Sequence, residues 1–122
     1  MRRAMGWKSI IKRLVFGYRG TSEAYIAKLR KLGAIIGDDV TIHVPQSTTI
    51  DITAPWLLSI GNHVNITGPA TILTHDYSWS VIKGMTGEIL GNERPVSIGD
   101  NVFIGWGATL LAGSCVPNNV II

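Results

Sequence analysis

Aliphatic side chains recur at intervals of six along most of this chain. The residue after the leading aliphatic is often glycine, and a small residue usually stands four positions on. An α-helix repeats apolar positions about every 3.6 residues and a half-buried strand about every two, so neither explains this period. A six-residue unit suits one side of a β-solenoid coil, a short strand followed by a corner. The ten repeating positions are Ile36, Ile42, Ile60, Ile66, Ile72, Ile98, Ile104, Leu110, Val116 and Ile122.

A first, small interruption of the repeat lies between Ile42 and Ile60. Thr48 and Ala54 occupy the positions that keep the phase there, yet the nearby aliphatic residues are Ile50 and Ile52. We therefore predict a short insertion in which Ile50 and Ile52 form the buried pair.

A second interruption is much larger. Ile72 and Ile98 are separated by 26 positions, which is not a multiple of six. We expect residues 77–95 to form a loop that protrudes from the solenoid. Loops held on rigid scaffolds commonly build functional sites.

The chain divides into an N-terminal helical segment, residues 1–33, and a repeat region, residues 34–122. Within the first segment, a helix begins at Thr21 or Ser22, which are good N-cap residues, and ends at about Leu32. We expect this helix to deliver the chain into the first repeat.

Residues 5–16 have helical amphipathicity, with cations on the polar side. One interpretation is a helix packed over the open end of the solenoid, where it would cover strand edges. The alternative is contact with an anionic membrane surface. We favour the first interpretation.

Composition bounds the class of protein. The chain has 122 residues, which is one domain, and 46% of them are hydrophobic against 16% charged. Apolar surface is therefore expected to be buried against other copies of the chain. The net charge of +3 comes mostly from the N-terminal third, and the basic residues do not interleave with aromatic ones. We therefore expect no nucleic-acid partner.

The single cysteine, Cys115, excludes an internal disulfide and fits a reducing compartment. The basic first 16 residues lack the apolar core of a signal peptide, and no apolar stretch approaches about 20 residues. The expected location is the cytoplasm.

Three stretches are more specific than the period. In this order, with the loop between the second and third, they resemble the hexapeptide-repeat O-acetyltransferases. The most similar groups are the galactoside/maltose and the capsular and exopolysaccharide acetyltransferases, and the resemblance covers about residues 22–122. The stretches are residues 60–66 (Ile-Gly-Asn-His-Val-Asn-Ile), residues 74–76 (Thr-His-Asp) and residues 95–105 (Pro-Val-Ser-Ile-Gly-Asp-Asn-Val-Phe-Ile-Gly).

The resemblance implies an all-β solenoid: a left-handed parallel β-helix with short N-terminal helices and about 18 residues per coil. Members of the family are homotrimers. They bind acetyl-coenzyme A in a groove between neighbouring coils and take a carbohydrate acceptor beside it, without a metal. The implied function is transfer of an acetyl group to a carbohydrate hydroxyl.

Acetyl transfer to a hydroxyl needs a base for the proton, and histidine titrates in the right range. His75 matches the catalytic histidine of the family in position, at the end of a repeat where the loop leaves. Asp76 could orient an imidazole, but residues adjacent in sequence usually point apart. We therefore expect Asp76 either to serve the site of a neighbouring subunit, as a substrate-binding candidate, or to cap the loop.

The resemblance also suggests residues that bind the acceptor and the coenzyme. Tyr77 and Trp79 form either an aromatic wall for a sugar ring or internal packing of the loop. Asn65 is either a polar contact near the site or a corner residue. The stretch of the family that lies along the pantetheine arm of the coenzyme corresponds to Gly105, Trp106, Gly107 and Ala108.

Two departures from the family affect the function. The sugar acetyltransferases carry an asparagine and an acidic residue for the acceptor where this chain reads Gln46-Ser47 and Ala54-Pro55. This favours a polysaccharide precursor or another carbohydrate over a galactoside or maltose. The family also continues with another coil beyond the position of Ile122. The alternative function is therefore a truncated, non-catalytic trimeric scaffold.

A metal enzyme of the γ-carbonic-anhydrase type is a weaker alternative, since that class shares this fold and binds zinc with three histidines. This chain has three, His43, His63 and His75. Their separations of 20 and 12 do not match stacked coils of about 18 residues. We therefore expect no metal.

Overall fold

The computed structural model describes residues 6–122. Within these residues it contains three helices and eleven short strands, with 3₁₀ turns at Gly17–Gly20 and Pro55–Leu57. The helices are α1 (Trp7–Phe16), α2 (Ser22–Lys31) and α3 (Ser80–Thr86). The strands are β1 (Ile35–Ile36), β2 (Val40–Ile42), β3 (Thr49–Ile50), β4 (Leu58–Ile60), β5 (Val64–Ile66), β6 (Thr71–Ile72), β7 (Val96–Ile98), β8 (Val102–Ile104), β9 (Thr109–Leu110), β10 (Cys115–Val116) and β11 (Val120–Ile121).

The strands form three parallel sheets. Sheet A has the order β1-β4-β7-β10, sheet B has β2-β5-β8-β11, and sheet C has β3-β6-β9. Consecutive strands lie in consecutive sheets, so the chain winds around a shared core with three strands in each complete turn. This arrangement is compatible with the solenoid predicted from the six-residue period.

The strand register locates the interruptions. In sheet A, Ile36 pairs with Ile60, Ile60 with Ile98, and Ile98 with Val116. The corresponding separations are 24, 38 and 18 residues. Relative to the shortest coil, the first coil carries a small insertion and the second carries the large excursion. The excursion contains α3, which the sequence pattern did not predict.

The core is built from the repeating aliphatic residues. Nine of the ten are buried, and the tenth, Ile122, is 42% exposed. Ile50 is also buried, as predicted, but Ile52 is 40% exposed, so its predicted burial is wrong. Strand β3 ends at Ile50, and the next residue, Asp51, turns inward. The alternation of a strand therefore does not continue to Ile52.

Helix α2 covers the first coil. It buries Tyr25, Ile26 and Leu29 against the core. Its side chains also bind backbone groups on the edge of each sheet, which otherwise would lack a partner. Ser22 Oγ accepts from the Ile42 N–H at 2.9 Å, Tyr25 Oη accepts from the Ile50 N–H at 2.9 Å, and Arg30 Nη2 donates to the Ile36 carbonyl at 2.9 Å.

Helix α1 buries none of its residues. The preferred interpretation, that residues 5–16 pack over the open end of the solenoid, is therefore wrong for residues 6–16 in this chain; residue 5 lies outside the described residues. The edge that this helix was expected to cover is capped by α2 instead.

A glycine follows the leading aliphatic residue because neighbouring coils approach closely at the corner between sheets A and B. A side chain at Gly61 would meet the carbonyl of Gly99 in the next coil at 2.8 Å. Asp100 fills the remaining space, because its Oδ1 accepts from the Asn62 N–H at 2.7 Å. The coils therefore approach too closely at this corner for any residue but glycine.

Candidate active site

His75 is held by a buried carboxylate. The imidazole Nδ1 lies 2.5 Å from Oδ2 of Asp51 and 3.1 Å from the Thr53 hydroxyl. The Asp51 side chain is 4% exposed, whereas the His75 side chain is 42% exposed. Both hydrogen-bond contacts of the imidazole involve Nδ1. In the neutral tautomer that carries its proton on Nδ1, the lone pair of Nε2 is therefore left to accept a proton from another molecule.

Asp51 is saturated with donors. Its Oδ1 accepts from the Thr53 N–H at 2.8 Å and from the Thr53 hydroxyl at 2.6 Å, and its Oδ2 accepts from the Thr74 hydroxyl at 2.8 Å. Burial alone would raise the pKa of Asp51. The hydrogen bonds from Thr53, Thr74 and His75 outweigh it and hold the pKa well below its usual value of 3.8. A charged Asp51 therefore faces His75 at all ordinary pH values.

Sequence reasoning did not identify Asp51, although a signal for it exists. Asp51 precedes His75 by 24 positions, whereas the register of sheet C pairs Ile50 with Ile72, an offset of 22. Asp51 therefore lies one coil before His75 and two residues from strict register with it, which is close enough for the two side chains to meet. Asp76, the acidic residue next to His75 in sequence, does not contact the imidazole within the described residues and binds Ser78 and Asn92 instead.

The excursion folds back beside the point where it leaves the sheet. His75 and Glu93 form an antiparallel bridge, and the Arg94 N–H donates to the Thr74 carbonyl at 2.9 Å. A cleft of about 570 Å³ lies between the two arms, lined by His75, Asp76, Tyr77, Trp79 and residues 90–94. The predicted base therefore stands in the wall of a cleft built by the loop.

Asp76 caps the loop. It accepts from the N–H of Ser78 at 2.9 Å and from Nδ2 of Asn92 at 2.7 Å, which ties the two arms of the excursion together. Hydrogen bonds from Ser78 and Asn92 lower the pKa of Asp76 to about 2. Of the two roles left open for Asp76, these contacts favour the cap.

Tyr77 and Trp79 pack edge to face, with ring centroids 4.6 Å apart at an angle of 65°. Both line the cleft, and Tyr77 is 62% exposed. The ammonium of Lys83, on α3, lies 6.0 Å from the Trp79 ring centroid. The pair thus packs within the loop and still offers aromatic surface to the cleft.

Asn65 lies in a different part of the molecule. It belongs to β5 in sheet B, and its Oδ1 lies 2.9 Å from Nε2 of His43. It is not among the residues that line the cleft of His75. It is a strand residue rather than a corner residue.

The segment Gly105–Ala108 forms the corner between β8 in sheet B and β9 in sheet C. Both glycines have a structural cause there. A side chain at Gly105 would meet the Ile122 carbonyl at 2.6 Å, and Gly107 has a φ of +80°. Their N–H groups donate to the Ile122 and Pro69 carbonyls, and Trp106 is 78% exposed.

His75 and the Gly105–Ala108 corner are not brought together within one chain. His75 follows sheet C, whereas Gly105–Ala108 precedes it. The register Ile72–Leu110 places the two about five to eight residues apart along the strand direction, or roughly 15–25 Å at about 3.3 Å per residue.

The three histidines also lie apart. His43 contacts Asn65, His63 contacts Asp39, and His75 contacts Asp51. Among residues 6–122, no group of three His, Cys, Asp or Glu side chains is placed to hold a metal ion.

Cys115 is an exposed free thiol on β10. Within the same described part of the chain, no helix has the length and apolar character needed to cross a membrane.

The chain is similar to Protein CapG of Staphylococcus aureus, with 37% identity over 86 residues. The aligned part covers 70% of this chain and 49% of that protein, so the chain spans about half the length of its relative. No family model matches the chain, and no solved structure gives a significant match.

Proposed function

We propose that this protein is an acetyl-coenzyme A-dependent O-acetyltransferase that acts on a hydroxyl of a carbohydrate, either a sugar or a polysaccharide precursor. In this proposal the three parallel sheets are a left-handed β-helix of hexapeptide repeats. The observation that supports the chemistry best is the pair formed by buried Asp51 and half-exposed His75 beside a cleft.

In the proposed reaction His75 is the general base. Its Nε2 takes the proton from the acceptor hydroxyl while that oxygen attacks the carbonyl carbon of the thioester. The new C–O bond forms a tetrahedral intermediate, which collapses as the C–S bond breaks. The imidazolium then returns its proton to the departing thiolate, and Asp51 stabilises the imidazolium in between.

The acceptor is assigned to the cleft. The exposed face of Tyr77 and the Tyr77–Trp79 pair are suited to the apolar face of a sugar ring, and Asp76 fixes the loop that carries them. Asn92, Glu93 and Arg94 add polar groups to the lining of the cleft, which the hydroxyl groups of a carbohydrate require.

The coenzyme is assigned to the Gly105–Ala108 corner of a neighbouring subunit. Since His75 and this corner lie at opposite ends of sheet C in one chain, a complete site requires a second copy, and we propose a homotrimer. The N–H groups of Gly105 and Gly107 are already bonded within the chain. We therefore assign contact with the pantetheine arm to exposed Trp106 and to the open side of Gly107.

The test uses calorimetric titration of coenzyme A into the full chain, followed by acetyl transfer to a panel of carbohydrates monitored by release of the free thiol. His75→Ala should reduce transfer about 100-fold or more, as removal of a general base does. The matched control is His43→Ala, the same substitution outside the cleft, which should stay within about twofold of wild type.

Each outcome distinguishes a part of the proposal. Wild type that neither binds coenzyme A nor hydrolyses its acetyl ester would refute the enzyme and favour the non-catalytic scaffold. Coenzyme A binding with full activity of His75→Ala would refute the base alone.

A further inference from the structure

Helix α1 presents an apolar stripe to solvent. Successive residues of a helix are rotated by about 100°, which places five apolar side chains within an arc of about 140°. Leu14 is 80% exposed, Trp7 and Val15 are each 68% exposed, and the remaining two are each 47% exposed. The α1 stripe consists of Trp7, Ile10, Ile11, Leu14 and Val15.

The opposite side of α1 attaches the helix to the protein. Ser9, which lies opposite the stripe, is half-buried, while every other residue of α1 is exposed. A side chain at Gly20 would meet the backbone of Lys12 and Arg13 at 2.7 Å, so the 3₁₀ turn packs against that same side. An amphipathic helix that stabilises a fold buries its apolar side; α1 is fixed in the reverse orientation.

The charge around the stripe is of one sign. Within α1, Lys8 and Arg13 flank the stripe and Lys12 lies between them on the polar side. Residues 1–22 contain six lysine and arginine residues, and the first acidic residue of the chain is Glu23. A partner that covers the stripe must therefore tolerate or supply negative charge.

We propose that α1 binds the surface of an anionic lipid bilayer, with the α1 stripe inserted at the level of the headgroups. Lys8 and Arg13 extend their ammonium and guanidinium groups from the borders of the stripe toward lipid phosphates. Trp7 is the residue type that favours the membrane–water interface. Helix α1 has ten residues, so it is about 15 Å long and lies along the surface rather than spanning it.

A second copy of the chain is a less suitable occupant. Pairing of two α1 stripes would place Lys8 and Arg13 of both copies side by side, and α1 has no acidic residue to compensate. An anionic surface instead matches both the apolar and the cationic parts of the helix. This inference is independent of the proposed acetyl transfer.

The experiment is co-sedimentation of the full chain with vesicles of phosphatidylcholine containing about 30 mol% phosphatidylglycerol, against vesicles of phosphatidylcholine alone. We expect clear binding to the anionic vesicles, weak binding to the neutral ones, and loss of the difference at high salt. The variant Lys8→Gln/Arg13→Gln should weaken anionic binding about 25-fold, since each cation near the surface contributes roughly fivefold.

A matched pair of variants tests the stripe. Leu14→Gln and Phe16→Gln each remove one exposed apolar side chain from α1 without a change of charge, but Phe16 lies on the polar side. Leu14→Gln should weaken vesicle binding about five- to tenfold, and Phe16→Gln should weaken it less than about twofold. Neither side chain is buried, so circular dichroism should show the wild-type fold for both.

Three results would overturn the proposal. The first is a wild-type chain that stays in the supernatant with anionic vesicles. The second is an equal loss of binding in Leu14→Gln and Phe16→Gln. The third is a change in oligomeric state on ultracentrifugation that accompanies Leu14→Gln, because the stripe would then be a contact between copies.

Discussion

Asp51 Oδ2 lies 2.5 Å from Nδ1 of His75, across one coil of the chain. The carboxylate is buried and holds its charge, while the imidazole remains half-exposed toward the cleft. The relationship fixes the ring and the tautomer at once, because Nδ1 must carry the proton that Asp51 accepts. Nε2 is thereby prepared to accept a proton.

The first prediction is that Asp51→Asn lowers kcat of acetyl transfer about 10- to 100-fold and changes KM for the acceptor less than about threefold. The amide has no charge to stabilise the imidazolium, and its NH₂ group would face the donors of Thr53 or Thr74. Steady-state kinetics with the acceptor found active in the panel provide the measurement.

The control is Thr53→Val, which removes one donor to Asp51 and the 3.1 Å contact of that hydroxyl with His75 Nδ1, but keeps the contact between carboxylate and imidazole. Its kcat should stay within about threefold of wild type. If Thr53→Val loses as much activity as Asp51→Asn, general loosening of the corner would explain both, and the positioning role of Asp51 would be wrong.

The second prediction concerns stability in acid. The pKa of Asp51 is lowered in the folded state, so unfolded chains take up a proton near pH 3.8 while folded ones stay ionised. Stability from this group is therefore present above about pH 4 and is lost as the pH falls toward the folded pKa. Urea unfolding at several pH values between about 5 and 2.5 should show a falling free energy of unfolding, less steep in Asp51→Asn.

Glu88→Gln is the matched control for this experiment. It removes an exposed loop carboxylate that accepts no hydrogen bond within the described part of the chain. Its pH dependence should follow wild type. An unchanged slope in Asp51→Asn would contradict the proposed linkage, whatever the stability of that variant at neutral pH.

The six-residue period allowed most of the core to be predicted, because nine of the ten aliphatic residues that follow this period are buried. The period could not place Ile52, since the insertion before it changes where β3 ends. The period also could not predict whether α1 packs on the solenoid. Amphipathicity predicts an apolar side but not what covers that side, and α2 already supplies the bonds to the sheet edges.

For the candidate site too, the sequence pattern located one residue and left others unplaced. His75 could be identified because it stands where the repeat breaks, and the structure places it in the wall of the resulting cleft. Asn65 could not be placed from its neighbours in sequence, because a solenoid distributes consecutive strands among three sheets. Identification of Asp51 from the sequence would have required the register between the first two coils. The insertion before Ile60 changes that register.

The third prediction contrasts two glycines. Gly61→Ala should destabilise the protein by about 1–3 kcal/mol, because the new methyl group would meet the Gly99 backbone at 2.8 Å. Gly84→Ala, in α3, meets nothing within 4 Å and should stabilise by up to about 1 kcal/mol. Urea midpoints of the two variants should move in opposite directions, and a neutral Gly61→Ala would disprove the close approach of the coils.

The last prediction tests the cap provided by α2. Tyr25 is fully buried, and its hydroxyl accepts from the Ile50 N–H at 2.9 Å and donates to the Thr48 carbonyl at 3.3 Å. Tyr25→Phe keeps the ring but leaves the Ile50 N–H without this partner. We expect a loss of about 1–3 kcal/mol in the free energy of unfolding, with an unchanged m-value.

Tyr77→Phe removes the same hydroxyl from a side chain that is 62% exposed, and it should change stability by less than about 0.5 kcal/mol. Equal effects of the two substitutions would mean that the Tyr25 hydroxyl does not cap the first coil. A selective loss in Tyr25→Phe, accompanied by faster amide exchange at Ile50, would show that α2 stabilises the solenoid edge through this bond as well as through apolar packing.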